Sequence, residues 1–131
     1  GSTFLDGSGL ARGNALSPNV VVATLAAAAR PENPDLRSVL TGLPVARFTG
    51  TLDERFDSPQ AADAAGVVRA KTGTLTGVSS LAGTVVARDG SACGFAMLAD
   101  DIVNTEAARL ALDETAAALA GCGCAHPGTE S

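Results

Sequence analysis

The first long apolar segment of the chain is a run of Val, Ala and Leu between residues 20 and 29. Ser17 and Pro18 come just before it, which is typical of a helix start with a capping hydroxyl and a proline in the first turn. Arg30-Pro31 follows and ends the predicted helix. Because the run is apolar nearly all round, we expect this helix to be buried on most sides.

The middle of the chain is rich in turn-forming residues. A short helix is predicted at 35–41, and the stretch 42–66 alternates glycine and proline with short helical pieces such as 52–56. No internal repeat is visible. An irregular segment with short helices is therefore expected here.

Three segments with strand composition follow. The first is predicted at 67–71, and segments 78–87 and 91–99 form the clearest hairpin, joined across Asp89-Gly90. A final helix starts at Asn104 or Thr105 and is expected to run to about residue 120, where Gly121 ends it. The order of elements indicates an α+β fold in which helices pack on an antiparallel sheet.

Composition narrows the class of protein. The chain has 131 residues, 46% of them hydrophobic, which is enough for the core of a single domain. Its net charge is −5 and it has no basic stripe, so binding to nucleic acid or to anionic membranes is disfavoured. No apolar run reaches the roughly 18 residues of a transmembrane segment, and no signal-peptide pattern opens the chain.

The three cysteines do not indicate a metal site. Cys93 lies in an apolar run and is expected to be a core residue rather than a reactive one. For Cys122 and Cys124 the sequence leaves open a bond elsewhere, a bond to each other, or free thiols. Together with the distant His126 they make a poor zinc site, so no metal and no cofactor are expected.

The strongest chemical signal is the only lysine of the chain. Lys71 begins a Lys-Thr-Gly-Thr tetrad in a strand context. An ammonium here can stabilise developing negative charge and can also take part in proton transfer. A permanently protonated guanidinium cannot take part in proton transfer. Thr72 and Thr74 alternate along the strand, so their hydroxyls share one face and can bind a carboxylate. Gly73 has no side chain and leaves room for an acyl group along the strand edge.

The tetrad occurs in a specific order of motifs. Asp6-Gly7-Ser8-Gly9-Leu10 comes first, Thr51-Leu52 follows, and the tetrad precedes Gly77-Val78 and Leu81-Ala82-Gly83. From Asp6 to Ala120 the chain resembles the C-terminal part of low-molecular-mass class C penicillin-binding proteins, the D-alanyl-D-alanine carboxypeptidase/endopeptidases of peptidase family S13. The resemblance implies the transpeptidase-like fold that serine β-lactamases share.

The resemblance also implies a serine acyl-transferase with Ser-x-x-Lys, Ser-x-Asn and Lys-Thr-Gly motifs. Lys71 would be catalytic, Thr72, Gly73 and Thr74 would bind substrate, and the backbone N–H of Thr74 would be an oxyanion-hole donor. No Ser-x-x-Lys occurs in the sequence. We therefore expect residues 1–131 to be the C-terminal part of one domain, with a flexible tail at about 122–131, and the nucleophile to lie on a preceding segment or a second chain.

One position departs from the family pattern. Where Gly-Leu-Ser-Arg is usual, this chain has Ala11 between Leu10 and Arg12. Asn14 is the expected substrate-binding asparagine of the middle motif, although a turn or helix-entry role is equally compatible with its position. Ser8 is interpreted as a turn residue rather than a replacement hydroxyl.

The partners implied by the resemblance are a peptidoglycan stem peptide or a β-lactam, and the implied location is the periplasm or cell envelope. Two other functions stay open. The loss of the serine at Ala11 favours a non-catalytic peptidoglycan-binding module, and the shared Lys-Thr-Gly motif is compatible with a serine β-lactamase. The sequence leaves the preference between carboxypeptidase and endopeptidase activity undetermined.

Overall fold

A three-stranded antiparallel sheet lies at the centre of the computed structural model, which describes residues 1–122. Its strands are β1 (Val68–Leu75), β2 (Val78–Val86) and β3 (Ala92–Ala99), in that spatial order. The prediction of three antiparallel strands is confirmed. β1 extends four residues beyond its predicted end, so the whole tetrad lies inside the strand.

Helices cover both faces of this sheet. α1 (Pro18–Ala29) packs on one face against β2 and β3, and α3 (Thr105–Cys122) packs on the opposite face. On β3, Gly94 faces α1, whereas the neighbouring Phe95 belongs to the core on the α3 side. The predicted α+β class is confirmed.

Short helical pieces connect α1 to the sheet, as the turn-rich sequence predicts. Three are 3-10 turns and one is an α-helix, α2: Pro34–Leu36, Arg37–Thr41 (α2), Gly50–Leu52 and Pro59–Ala64. The predicted helical piece at 52–56 is wrong in position, because Phe56 has a φ of 61°, which a right-handed helix does not allow.

The core lies between α3, the Pro59–Ala64 turn and one face of the sheet. It contains only two aromatic side chains and is otherwise built from aliphatic residues: Leu52, Phe56, Val68, Leu81, Val85, Phe95, Leu112 and Ala116. A buried ion pair between Arg55 and Asp113 joins the segment before β1 to α3. This pairing ties the residues that follow the Gly50–Leu52 turn to α3.

The expectation that α1 is buried on most sides is wrong. Only Leu25 and Ala28 are buried, and Val20 is 42% exposed. The sheet and α2 cover only part of the helix surface, and its remaining apolar surface is uncovered. The loop before α1 is also apolar and open, since Phe4 and Leu10 are 66% and 68% exposed.

The two predicted ends of helices also differ from the structure. The Ser17 hydroxyl makes no capping bond, because the N–H of Val20, a donor that it would cap, already bonds to the Ser17 carbonyl at 3.1 Å. At the other end, α3 passes Gly121 and ends at Cys122. A glycine in the last turn costs only about 1 kcal/mol relative to alanine, which helix packing can offset.

Cys93 packs against the core, as expected, and is also disulfide-bonded, which the sequence analysis did not predict. Most of the predicted flexible tail, including Cys124 and His126, lies outside the described residues.

Candidate functional site

The Lys-Thr-Gly-Thr tetrad occupies the second half of β1, where side chains alternate between the two faces of the sheet. Val68 and Ala70, earlier on the strand, are fully buried against the core. Thr72 and Thr74 continue their face, and Lys71 and Gly73 lie on the other. The strand therefore separates the one cationic side chain of the tetrad from its two hydroxyls.

The Lys71 ammonium lies at the surface, close to the strand itself. Its Nζ atom donates a hydrogen bond to the Thr72 carbonyl at 2.6 Å, and the side chain is exposed. Within residues 1–122 no carboxylate forms an ion pair with it. The ammonium therefore keeps donor capacity for a group that approaches the strand.

Within residues 1–122, backbone pairing covers the outer edge of β1 only along its first half. The Ala46 N–H donates to the Val68 carbonyl at 2.9 Å, and the Ala70 N–H donates to the Pro44 carbonyl at 2.9 Å. Backbone polar groups at even positions thus point away from β2. Thr72 and Thr74 continue this alternation, so the Thr74 N–H points outward at an edge that segment 44–46 no longer covers.

Thr51 is a neighbour of the tetrad that the sequence does not predict. Its hydroxyl lies 3.1 Å from the hydroxyl of Thr72, and the two share a hydrogen bond. Thr51 belongs to the Gly50–Leu52 turn, 21 positions before Thr72. In the sequence, Thr51 is one of the residues that carry the family resemblance, and no role is predicted for it.

Gly73 lies directly opposite Ser80 of β2. A Cβ atom added to Gly73 would clash with the Ser80 hydroxyl. That hydroxyl lies 3.5 Å from the Gly73 carbonyl, to which it donates a long hydrogen bond. A side chain at position 73 would therefore force the Ser80 hydroxyl to rotate away and give up its bond to the Gly73 carbonyl.

Asn14 is held within its own loop. Its amide nitrogen donates to the Asp6 carboxylate at 2.7 Å, and its amide oxygen accepts from the Leu5 N–H at 2.7 Å. The structure gives Asn14 no contact with the tetrad. These bonds agree with the turn role that the sequence had left open, and the substrate-binding role of Asn14 stays a prediction.

Asp6 is the centre of that loop. Hydrogen bonds from the Ser8 hydroxyl, the larger effect, and from the Asn14 amide hold the pKa of Asp6 below its ordinary value of 3.8. The Ser8 hydroxyl donates at 2.6 Å and also accepts from the Leu10 N–H at 3.2 Å. Ser8 thus serves the turn, as interpreted from the sequence.

Arg12 is the residue that brings this loop to the sheet. Its guanidinium donates to the carbonyl of Thr76, in the turn between β1 and β2, at 3.2 Å. The loop therefore lies near the end of β1, although Asn14 itself points into the loop. The sequence indicates no role for Arg12 beyond its place after Ala11 in the motif.

A cavity of about 560 Å³ opens between the Gly50–Leu52 turn and the first half of α3. Thr51 lines it, and the hydroxyl of the same residue bonds to the Thr72 hydroxyl. Most of the other lining residues are charged: Asp53, Glu54, Arg55, Asp57, Glu106, Arg109 and Asp113. Asp53 and Glu54 are exposed, as expected for a solvated pair.

Within residues 1–122 no group of three or more His, Cys, Asp or Glu side chains is arranged to hold a metal ion. None of the helices in that range is both long enough and apolar enough to cross a membrane.

Residues 1–120 match the model of the D-Ala-D-Ala carboxypeptidase 3 (S13) family. A carboxypeptidase from Mycobacterium tuberculosis is 41% identical over 128 residues, which cover 95% of this chain and 27% of that protein. The carboxypeptidase DacB of Mycolicibacterium smegmatis is 40% identical over 125 residues, with the same coverage. The chain thus spans about a quarter of the length of these relatives.

Solved structures show the same relationship. Penicillin-binding protein 4 of Haemophilus influenzae superposes with a TM-score of 0.75 and 29% identity over 92% of this chain and 28% of its own. The same protein in complex with a β-lactam gives a TM-score of 0.73 and 28% identity over 87% of this chain and 27% of its own.

Proposed function

The chain belongs to the D-Ala-D-Ala carboxypeptidase 3 (S13) family, and on that premise we propose that it supplies the substrate-binding strand of a serine-type D-Ala-D-Ala carboxypeptidase or endopeptidase. The substrates are peptidoglycan stem peptides, and β-lactams acylate the same site. No cofactor takes part in this reaction.

One observation carries the proposal. Beyond Ala70 the outer edge of β1 is uncovered, and the Lys71 ammonium lies beside that open edge. An extended peptide can pair with an open strand edge through its backbone, and a neighbouring cation attracts its C-terminal carboxylate. In this proposal, backbone pairing with the peptide and recognition of its charge take place at the same point of the strand.

Each residue of the tetrad has a role in this proposal. Lys71 stabilises negative charge and assists proton transfer next to the nucleophile. The hydroxyls of Thr72 and Thr74 bind the terminal carboxylate, and Gly73 leaves room for the acyl group. The outward N–H of Thr74 donates to the oxyanion; loss of one such donor typically lowers the rate on the order of 10²- to 10³-fold.

The nucleophilic serine comes from outside this sequence, which contains no Ser-x-x-Lys. We propose that residues 1–131 form the C-terminal part of one transpeptidase-like domain. The exposed apolar side chains of Phe4, Leu10 and Val20 support this, because large exposed apolar patches usually mark a surface that another part of the protein covers. The partner segment is either an earlier part of the same polypeptide or a second chain.

We place the protein in the cell envelope, where peptidoglycan is accessible. The disulfide bond of Cys93 supports this location, since disulfides persist mainly in oxidising compartments.

Labelling with a fluorescent penicillin tests the proposal. The chain together with its N-terminal partner segment should become covalently labelled, whereas residues 1–131 alone should stay unlabelled because they lack the nucleophile. Labelling of residues 1–131 alone would contradict the assignment of the nucleophile. Absence of labelling in the complete protein would contradict the acyl-transfer function.

A non-catalytic peptidoglycan-binding module is the second candidate, and Ala11 favours it. Ala11 has no hydroxyl, and its carbonyl accepts a turn hydrogen bond from the Asn14 N–H at 3.0 Å. Binding of a D-Ala-D-Ala peptide to the complete protein without release of D-alanine would favour this module over the enzyme.

A further inference from the structure

Thr51 is fixed in place although its side chain is exposed. The next residue, Leu52, is fully buried, and its carbonyl accepts the Arg47 N–H at 2.9 Å. Arg55, three positions further, is tied to α3 by the buried pair with Asp113. These contacts hold the backbone of the Gly50–Leu52 turn in place, and from there the Thr51 hydroxyl reaches Thr72 of β1.

The hydrogen bond between Thr51 and Thr72 has chemical consequences. A hydroxyl has one proton to donate and can accept two hydrogen bonds. If Thr72 donates its proton to a carboxylate, Thr51 can donate its own proton to the Thr72 oxygen. Thr51 then completes a chain of two hydroxyls that ends at the substrate, and it keeps the Thr72 side chain in one rotamer.

When substrate is absent, the hydrogen bond can also run in the opposite direction, with the Thr72 hydroxyl donating its proton to the Thr51 oxygen. Binding of an anion selects the orientation in which both protons point toward the carboxylate. A neutral C-terminus gives a weaker preference, because hydrogen bonds to charged groups are roughly twice as strong as those between neutral groups. The pair therefore favours substrates that end in a carboxylate.

We propose that Thr51 is a positioning residue that orients the Thr72 hydroxyl for recognition of the substrate's C-terminal carboxylate. This inference rests on the proposed carboxypeptidase function. It assigns Thr51 no contact with the substrate; its effect acts through Thr72.

A purely structural role is the alternative. In that case the Thr51 hydroxyl would only attach the Gly50–Leu52 turn to β1. Its removal would then lower stability and would affect all substrates equally. A preference between charged and neutral C-termini separates the two roles.

The experiment uses the complete protein and compares Thr51→Val, which keeps the side-chain shape but removes the hydroxyl, with Thr51→Ser, which keeps the hydroxyl. Thr24→Val is the matched control, because that hydroxyl bonds only within α1, to the Val20 carbonyl at 2.8 Å. The substrates are a peptide ending in D-Ala-D-Ala and the same peptide with a C-terminal amide. The readouts are kcat and KM for release of the last residue, and the melting temperature.

We expect Thr51→Val to raise KM for the free-carboxylate peptide by about 3- to 12-fold, within the range for the one neutral hydrogen bond that the Thr72 hydroxyl loses. For the peptide with a C-terminal amide, KM should change by less than about twofold. The kcat values should also change by less than about twofold. Thr51→Ser should restore the selectivity, and Thr24→Val should leave it unchanged. In a protein that already carries Thr72→Val, Thr51→Val should cause no further rise in KM for the free-carboxylate peptide.

Equal losses on both peptides, no loss, or failure of Thr51→Ser to restore selectivity would overturn the proposal. If Thr51→Val did not fold, Thr51→Ala in the same comparison would decide between the outcomes. The wild-type protein separates this test from the proposed function: if it neither reacts with penicillin nor releases D-alanine, the function itself fails, whatever the Thr51 variants do.

Discussion

The Arg55 guanidinium donates two hydrogen bonds to the Asp113 carboxylate, from Nη2 to Oδ1 at 2.5 Å and from Nε to Oδ2 at 3.1 Å. The Phe56 N–H also donates to Oδ2, at 3.2 Å. Both side chains of the pair are less than 9% exposed. This contact joins the segment that carries Thr51 to α3, across 58 positions of sequence.

Asp113→Ala should destabilise the complete protein by about 3–5 kcal/mol, because it leaves the Arg55 charge buried without its carboxylate. Urea unfolding measures this loss. Asp63→Ala is the control, since Asp63 pairs with Arg88 at the surface and its loss should cost about 1 kcal/mol or less. Similar losses in the two variants would show that the Arg55–Asp113 pair is not a specific structural link.

Lys71→Ala should lower the rate of acylation by penicillin on the order of 10²- to 10⁴-fold, the range for loss of a group that moves a proton. Lys71→Arg should restore little of it, because a guanidinium stays protonated and has a different shape. Stopped-flow or gel-based labelling of the complete protein gives these rates. Folding can be checked separately by the melting temperature.

Arg69→Ala is the matched control for Lys71. Arg69 is an exposed cation two positions earlier on the same face of β1. Its removal should leave the acylation rate within about twofold, because its charge lies farther along the strand from the open edge. The role assigned to Lys71 would be contradicted if the Lys71→Ala variant were acylated at the wild-type rate. It would also be contradicted if Arg69→Ala lowered the acylation rate as much as Lys71→Ala does.

Gly73→Ala should destabilise the protein by about 1–3 kcal/mol, the usual cost of overpacking, because its new methyl group meets the Ser80 hydroxyl. Ser80→Ala in the same protein removes that hydroxyl and should recover most of the stability. Acylation should stay slow in the double variant if Gly73 also leaves space for the acyl group. Full recovery of acylation would mean that Gly73 serves only the contact with Ser80.

Local patterns predicted most of the secondary structure and the start of the strand that carries the tetrad. Strand composition and the Asp89-Gly90 turn predicted the hairpin, and Asn104 caps α3 through its bond to the Ala107 N–H at 3.0 Å. Each of these signals depends on residues that are close in sequence. The strand that holds Lys71 was therefore predictable, including the shared face of Thr72 and Thr74.

Contacts between distant residues were not predictable in this way. The Thr51–Thr72 bond depends on how the Gly50–Leu52 turn is placed against β1, and no periodicity encodes that placement. The burial of α1 failed for a related reason: an apolar helix indicates that its faces will be covered, but not which part of the protein covers them. The role of Asn14 was open because its partner, Asp6, is eight positions away in a loop without regular structure.

The hydrogen bonds of the loop around Asp6 should weaken in acid. Hydrogen bonds from the Ser8 hydroxyl, the larger effect, and from the Asn14 amide hold the pKa of Asp6 below 3.8. A carboxylate whose pKa is lower in the folded than in the unfolded state stabilises the folded state at pH values above its unfolded pKa. This stabilisation is lost as the pH falls through the folded pKa. The hydrogen bonds of the loop should therefore persist at pH 5–7 and weaken only below about pH 4.

Carbon-13 NMR of the Asp6 carboxyl group, read together with the amide signals of Leu5 and Gly9, measures this directly. Ser8→Ala should raise the pKa of Asp6 more than Asn14→Ala does, because the Ser8 hydroxyl is the larger cause. In both variants the loop signals should change at a higher pH than in the wild type. An Asp6 carboxyl that titrates at or above 3.8 in the wild-type protein would show that the hydrogen bonds from Ser8 and Asn14 do not form in solution.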